Sequence, residues 1–331
     1  VAEASGRADA FFRWVGSTDP RAVASLVRPA QTKLRIAQWT DLHVPGDMEL
    51  SRRLRDLLRP HSDISALSHQ LSALSNELGH QYRKDRRAYT NMLKKVLVGL
   101  RALEVDHLII TGDLVHCSLE AEFLEVRAVL ELTGWLDPAR LTVIPGNHDR
   151  FNLYEHLPSR PMEAFFDVVD PHHPRFKRLD HGVALLEIDS NSDRVHDRHT
   201  MERYLPNSVG CLYPEALSKI EAGRGEVEGM RLLCLIHHHV SSDWYPRVMT
   251  RDMGGLMDPA RGVDDLSDLC KLIDKSAIIL HGHIHEVMPM GYTWRGHLVG
   301  NPGGFAEARR LNLLDVDTHG EIVMSQVELR M

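Results

Sequence analysis

Short apolar runs that end in clusters of polar residues recur along this chain. "LRIAQW" at 34–39 leads into "TDLH", "HLIIT" at 107–111 into "GDLVH", and "LTVI" at 141–144 passes a proline and a glycine into Asn147, His148 and Asp149. Further on, "VALLEI" at 183–188 runs into "DSNSD", "RLLCLI" at 231–236 into "HHHV", and "AIIL" at 277–280 into "HGHIH". Runs of this length, aliphatic or β-branched and bounded by turn-forming residues, predict strands. Helical spacing takes over between them. Residues 92–103 carry Leu, Val and Lys at that spacing, and 118–133 opens on Ser118 as N-cap, places Glu120 and Glu122 in the first turn and stops at Gly134. Near the end, "LNLLDV" and "EIVMSQVEL" flank "DTHG" and predict a closing β-hairpin.

The alternation defines an α/β fold. Strands that are apolar throughout are covered on both faces, and strands joined by crossover helices run parallel. Parallel strands place their carboxyl ends on one sheet edge, where ligands bind in open α/β folds. Five of these strands deliver Asp, Asn or His within a few residues of their ends, so side chains far apart in sequence are expected to converge there.

Composition narrows the classes. The 331 residues are 43% hydrophobic and 26% charged, which suits a globular protein with a real core. No repeat, low-complexity tract or Gly/Ser linker marks a cut, so 1–331 reads as a single domain with insertions. A net charge of −7 argues against a broad basic surface for nucleic acid, which then enters only as a substrate. No window approaches the roughly 18 apolar residues of a membrane span. Cys117, Cys211, Cys234 and Cys270 are too scattered for a zinc knuckle or a disulfide scaffold, which points to a reducing compartment and a cytoplasmic location. The chain opens on Val1 rather than Met, which leaves a removed leader open.

Convergent Asp, His and Asn side chains suit a binuclear metal site. Imidazole and carboxylate bind zinc, manganese and iron, and an amide oxygen adds a neutral ligand. A carboxylate can bridge two ions, and ions about 3.5–4 Å apart can clamp the attacking and leaving oxygens of a displacement at phosphorus.

"DLH" at Asp41–His43, "GD" at Gly112 and Asp113, "GNHD" at Gly146–Asp149, the strand-terminal His237 and "GHIH" at Gly282–His285 stand in the order found in calcineurin-like metallophosphoesterases. Each motif is weak alone. All five in order, each after a strand, make the chain resemble that family over roughly residues 34–305. The resemblance implies a two-sheet αββα sandwich, to which this chain's own residues 45–87 add a helical insertion after the first motif, and two divalent or mixed-valence ions of manganese, iron or zinc. It implies that Asp41, His43 and His285 hold one ion, that Asn147, His237 and His283 hold the other, and that Asp113 bridges them. A hydroxide shared by the ions would attack phosphorus. His148 matches the family's catalytic His, which assists the leaving group as a general acid, a role typically worth ~10²–10⁴ in rate. Asp149 would orient it.

Within "HHHV" the family pattern favours His237 as ligand over His238 and His239. His116 and His281 read as loop residues or hydrogen-bond partners near the site, while His61, His69, His80, His172, His173, His196 and His199 lack strand-end context and read as surface or packing residues. "NPGG" at 301–304 resembles a late turn of the family that glycine geometry explains. "DSNSD" reads as scaffold.

Departures from the family pattern narrow the function. Members acting on phosphoserine and phosphothreonine read "GDxVDRG" and "GNHE", whereas this chain reads "GDLVHC" and "GNHD". Members that cleave a lipid A precursor often carry Arg at the position of His148. The expected activity is hydrolysis of small phosphoesters, with phosphodiesters favoured by analogy with other family members that read "GNHD". The alternatives are a phosphomonoesterase or a nucleotide or lipid pyrophosphatase, then a DNA nuclease, then a non-catalytic scaffold. Residues 45–87 read as a helical insertion whose arginines could meet a phosphate, or as a packing or oligomer element. Residues 1–33 read as an N-terminal extension.

Overall fold

Every one of the six apolar runs forms a strand, and the strands divide between two sheets. The computed structural model describes residues 27–44, 86–116, 118–150, 162–166, 173–191, 212, 214–240 and 266–329. Residues 1–26 of the expected extension and 45–85 of the expected insertion lie outside the described residues, as do Cys117, Cys211, His61, His69, His80, His172, His196 and His199. In chain order the strands are β1 (Leu34–Trp39), β2 (His107–Ile110), β3 (Leu141–Val143), β4 (Arg175–Arg178), β5 (Val183–Glu187), β6 (Arg231–Leu235), β7 (Ile278–Leu280), β8 (Thr293–Trp294), β9 (His297–Gly300), β10 (Arg310–Val316) and β11 (Ile322–Glu328). The α-helices are α1 (Arg86–Ala102), α2 (Glu120–Leu132), α3 (Asn147–Arg150), α4 (Pro214–Gly223), α5 (Leu266–Leu272) and α6 (Phe305–Ala308).

The first sheet has the order β11-β10-β1-β2-β3 and the second β4-β5-β6-β7-β9-β8. Strands β1, β2 and β3 run parallel, as do β5, β6, β7 and β9. Two sheets thus each contribute an edge of strand carboxyl ends, as the two-sheet αββα reading expects. The closing hairpin completes the first sheet on the β1 flank, where β10 lies antiparallel on β1.

Side-chain alternation along the strands builds the layers. Leu34, Ile36, Ile109, Leu185, Leu233, Leu280 and Leu314 fill the space between the sheets. Ala37, Trp39, Leu108 and Ile110 point to the other face of the first sheet, where Leu93, Val96, Leu97 and Leu100 of α1 and Phe123, Val126 and Val129 of α2 cover them. On the far side of the second sheet, Leu186, Cys234 and Ile279 pack with Ile220 of α4 and Leu269 of α5. Helix, sheet, sheet, helix is the αββα sandwich.

Two local expectations change. Helix α1 begins at Arg86 rather than 92. Ser118 is not the N-cap of α2: it sits at φ 55°, and its hydroxyl donates to the Asp149 carbonyl at 2.8 Å. The cap falls on Leu119, whose N–H donates to the Glu122 carboxylate at 3.1 Å. The hairpin turn forms as expected, with Asp317 Oδ1 accepting from the N–H groups of His319 at 2.7 Å and Glu321 at 3.0 Å.

Candidate metal centre

Past their last paired residues, the strands of both sheets run into loops that meet at one end of the sandwich. The loop after β1 continues the parallel pairing: the N–H of Asp41 donates to Gly112 O at 3.1 Å, and those of His43 and Val44 to Asp113 O and Leu114 O at 2.9 Å each. From outside, Tyr89 of α1 donates its hydroxyl to the Leu42 carbonyl, and Phe305 of α6 meets Trp39 edge-on at 4.4 Å. The loop is therefore fixed on both flanks. Asp41, His43, Asp113 and His283 all adopt left-handed backbone, at φ 51°, 44°, 54° and 69°. Such strain in a non-glycine residue costs of order 1–3 kcal/mol each and persists where surrounding structure over-determines it.

Asp113 stands between two groups of donors. Its Oδ2 lies 3.6 Å from His43 Nε2 and its Oδ1 lies 3.4 Å from His237 Nε2. On the first side, His43 Nε2 and His285 Nε2 are 3.0 Å apart, with Asp41 Oδ1 at 3.9 Å from the former and 3.7 Å from the latter. On the second side, Asn147 Oδ1 lies 2.9 Å from His237 Nε2 and 3.0 Å from His283 Nδ1. Two ligands each about 2.1 Å from one ion stand about 3.0–3.4 Å apart at angles between square and tetrahedral. These separations and this mixture of imidazole, carboxylate and amide oxygen fit transition-metal ions. Two of the His/Asp groupings close enough to hold an ion are Asp41 with His43 and His285, and Asp41 with Asp113 and His237. The fold thus brings together all seven residues that the family resemblance pointed to.

Outer contacts orient the donors. The Thr111 carbonyl, which has only lone pairs to offer, lies 2.8 Å from His237 Nδ1, so that nitrogen keeps its proton and Nε2 is the atom that becomes a donor once the ring is neutral. Thr40 Oγ1 donates to Asp41 Oδ2 at 2.8 Å, and the His283 N–H reaches both oxygens of Asp41, at 3.2 and 3.1 Å. Asn301, left to turn geometry in the sequence reading, donates to the Ile284 carbonyl at 2.8 Å and so holds the loop that carries His283 and His285. Asp189 of "DSNSD" receives Arg150 at 2.8 Å, tying the loop after β3 to the one after β5.

His148 lies beside this set. Its N–H donates to Asp113 Oδ1 at 2.8 Å, its Nδ1 donates to the His116 carbonyl at 2.7 Å, and its ring sits 4.7 Å from that of His43. The expected pairing of Asp149 with His148 is corrected here. Asp149 instead accepts the N–H of Val115 at 3.1 Å on one oxygen and that of Gly146 at 2.9 Å on the other, bracing the loops after β2 and β3. His116 supplies its ring as well, stacked on His148 at 5.5 Å. Of the remaining histidines in "HHHV", His238 Nδ1 contacts Ser190 Oγ at 2.8 Å, and the His239 ring stacks on His283 at 6.0 Å.

Without ions the electrostatics are strongly perturbed. Burial raises the Asp41 carboxyl above the usual range, and burial together with the Asp113 charge pushes Asp149 up to about 8. Burial would raise Asp113 too, but the neighbouring His237 and His148 outweigh it and hold Asp113 well below the usual range. Burial works to lower His237, yet the Asp113 charge and hydrogen bond prevail and lift it to about 9. Burial and adjacent imidazoles press His43 and His283 well down, so both are neutral and ready to ligate.

An αββα sandwich with two joined donor groups at its loop end defines a metal-dependent phosphoester hydrolase. The chain belongs to the calcineurin-like phosphoesterase family, whose model matches residues 34–287 and whose members are binuclear and metal-dependent. Among solved structures, a dimetal phosphatase from Danio rerio is similar over 90% of this chain and 99% of its own, at 12% identity and a TM-score of 0.55. A purple acid phosphatase from yellow lupin, Lupinus luteus, is similar over 91% of this chain and 55% of its own, at 13% identity and a TM-score of 0.41. No curated protein matches the sequence. Among the described residues, no helix is long and apolar enough to cross a membrane.

Proposed function

We propose that this protein hydrolyses phosphodiesters. Asp41, His43 and His285 would hold one ion, Asn147, His237 and His283 the other, with Asp113 between them; manganese, iron and zinc all accept such donors. When bound, two such ions supply an activated water and Lewis-acid stabilisation of charge at phosphorus. The chain's own residues position and move protons. The observation that carries the reading is His148, an imidazole set against the donor cluster and held by two bonds to fixed groups, Asp113 Oδ1 and the His116 carbonyl. With Nδ1 engaged, Nε2 is the atom left to face substrate. Protonated, it donates to the leaving oxygen and hands over its proton as the P–O bond breaks, typically worth ~10²–10⁴ in rate.

The charge of the centre supports a diester. A diester carries one negative charge where a monoester carries up to two, and a dianion is commonly met by an arginine clamp. Among the described residues, Arg150, on the helix that carries Asn147 and His148, is bound to Asp189 at 2.8 Å instead. The chain leaves the described core at Val44, beside His43, so 45–87 is proposed as a wall or lid over substrate. The free thiols of Cys234 and Cys270 support a cytoplasmic location.

The test is hydrolysis of bis-p-nitrophenyl phosphate against p-nitrophenyl phosphate by protein reconstituted with manganese. Faster turnover of the diester is expected. Preference for the monoester would replace the diester reading with a phosphatase, and hydrolysis of neither by the metal-loaded protein would remove both.

A further inference from the structure

Between the two sheets, in a layer otherwise filled largely by aliphatic side chains, three amides form a ladder. Gln38 of β1 stands opposite Asn312 of β10, which stands opposite Gln326 of β11. Gln326 Nε2 donates to Asn312 Oδ1 at 3.2 Å, and Asn312 Nδ2 donates to Gln38 Oε1 at 2.8 Å. Gln38 Nε2 then spends its two hydrogens on Thr111 Oγ1 at 3.2 Å and on the His281 carbonyl at 3.0 Å. Gln38, Asn312, Thr111 and His281 are each 0% exposed. Burying an amide costs about 1–3 kcal/mol where its bonds are incompletely replaced, and an aliphatic residue such as Leu34 or Ile36 on the same face carries no such requirement. Packing alone does not account for Gln38.

Its partners do. Thr111 precedes Asp113 by two residues, and its carbonyl receives His237 Nδ1 at 2.8 Å. His281 precedes His283 by two residues on the opposite sheet, and Gln38 itself precedes Asp41 by three. One amide nitrogen therefore joins the strand ends that carry donors from both sheets. The ladder also sets which way that amide faces. Asn312 Oδ1 is taken by Gln326, so Asn312 presents its N–H to Gln38 Oε1. Turning the Gln38 amide round would set its oxygen against the His281 carbonyl, acceptor to acceptor.

We propose that Gln38 is a positioning residue that sets the spacing between the two halves of the metal centre, with Asn312 and Gln326 fixing the direction of its amide. The proposal rests on the ligand assignment given above. It is tested by titrating the metal-free full chain and its Gln38→Leu variant with manganese(II). The readouts are the stepwise affinities, the exchange coupling between the two ions by electron paramagnetic resonance, and the thermal midpoint of the metal-free protein. The wild type is expected to bind two coupled ions. Gln38→Leu is expected to lose 10–100-fold in one binding step, the range typical of outer contacts to metal ligands, and to show altered coupling and a lower kcat at saturating manganese. Wild-type affinities and coupling in Gln38→Leu, whatever its thermal midpoint, would reduce the ladder to a core element and overturn the proposal. A wild type that binds fewer than two ions would overturn the ligand assignment itself, a result separable from the first. Should Gln38→Leu fail to fold, Gln326→Leu at the outer end of the ladder removes no partner of Gln38 but frees Asn312 to turn and withdraw its N–H from Gln38 Oε1. A few-fold loss in the same step is expected there, and no loss overturns the proposal.

Discussion

Asp113 and His148 are joined by a single hydrogen bond, and they divide the chemistry between them. His148→Ala is expected to keep both ions and lose about 10²–10⁴ in kcat, because only the proton donor goes. Asp113→Ala is expected to lose metal as well as turnover, since both donor groups face its two oxygens. Metal content by mass spectrometry alongside kcat separates the two outcomes, and equal metal loss in both variants would reverse the roles. The donors themselves were legible in sequence because each is a side chain of the right chemistry just after an apolar run. What orients them was not. His148 is held by the carbonyl of His116 and His237 by the carbonyl of Thr111. A backbone acceptor is present at every position, so its use leaves no mark on residue identity. Asp149 misled for the complementary reason: a carboxylate beside a functional imidazole invites pairing, but here it answers two backbone N–H groups that the sequence does not display.

Turns at the ends of the strands pack against one another around the site. At Gly146 an added Cβ would stand 2.1 Å from Asp113 Oδ1 and 2.3 Å from its N, and at Gly282 it would stand 1.9 Å from Thr40 Oγ1. These glycines permit loops from different strands to touch. Gly146→Ala is expected to destabilise the metal-free fold by about 1–3 kcal/mol, as overpacking does, and to weaken both metal sites by displacing Asp113. Thermal melts with and without manganese check it, and an unchanged metal-induced shift would count against the contact. Apolar strands β1, β2, β5, β6 and β7 could be read directly, whereas β4 and the β8–β9 pair could not. Strand β4 reads "RFKR" because its inward side chains are Arg175, bound to Glu187 at 2.9 Å, and Lys177, which reaches the Thr142 hydroxyl at 2.9 Å. A strand that lines a polar seam carries no apolar signature.

For the molecule as a whole, assembly of the centre is linked to protons. In the metal-free protein His237 is lifted to about 9, above its ordinary value of 6.5, so at neutral pH it carries a proton. The His237–Asp113 pair therefore stabilises the metal-free fold fully below about pH 6.5, and this contribution is lost as pH rises through about 9. Ligation needs the neutral ring, so each protein molecule should release this proton on loading, and manganese affinity should climb about tenfold per pH unit towards pH 9 for one proton. Calorimetry in buffers of different ionisation enthalpy measures that release; affinity flat between pH 6.5 and 8.5 would contradict it. The closing hairpin has a consequence of another kind. The family model ends at 287, yet β10 at 310–316 is what covers the outer flank of β1, and β9 at 297–300 lies between β7 and β8. A fragment trimmed to 34–287 would keep all seven donors and still present two raw sheet edges, open to pairing with other copies of itself. Expressed alone, it is expected in the insoluble fraction, and a soluble monomeric product on size exclusion would show that the hairpin is dispensable. Boundaries drawn from motifs and boundaries drawn from backbone pairing thus differ by some forty residues, and a minimal soluble enzyme must be cut at the second.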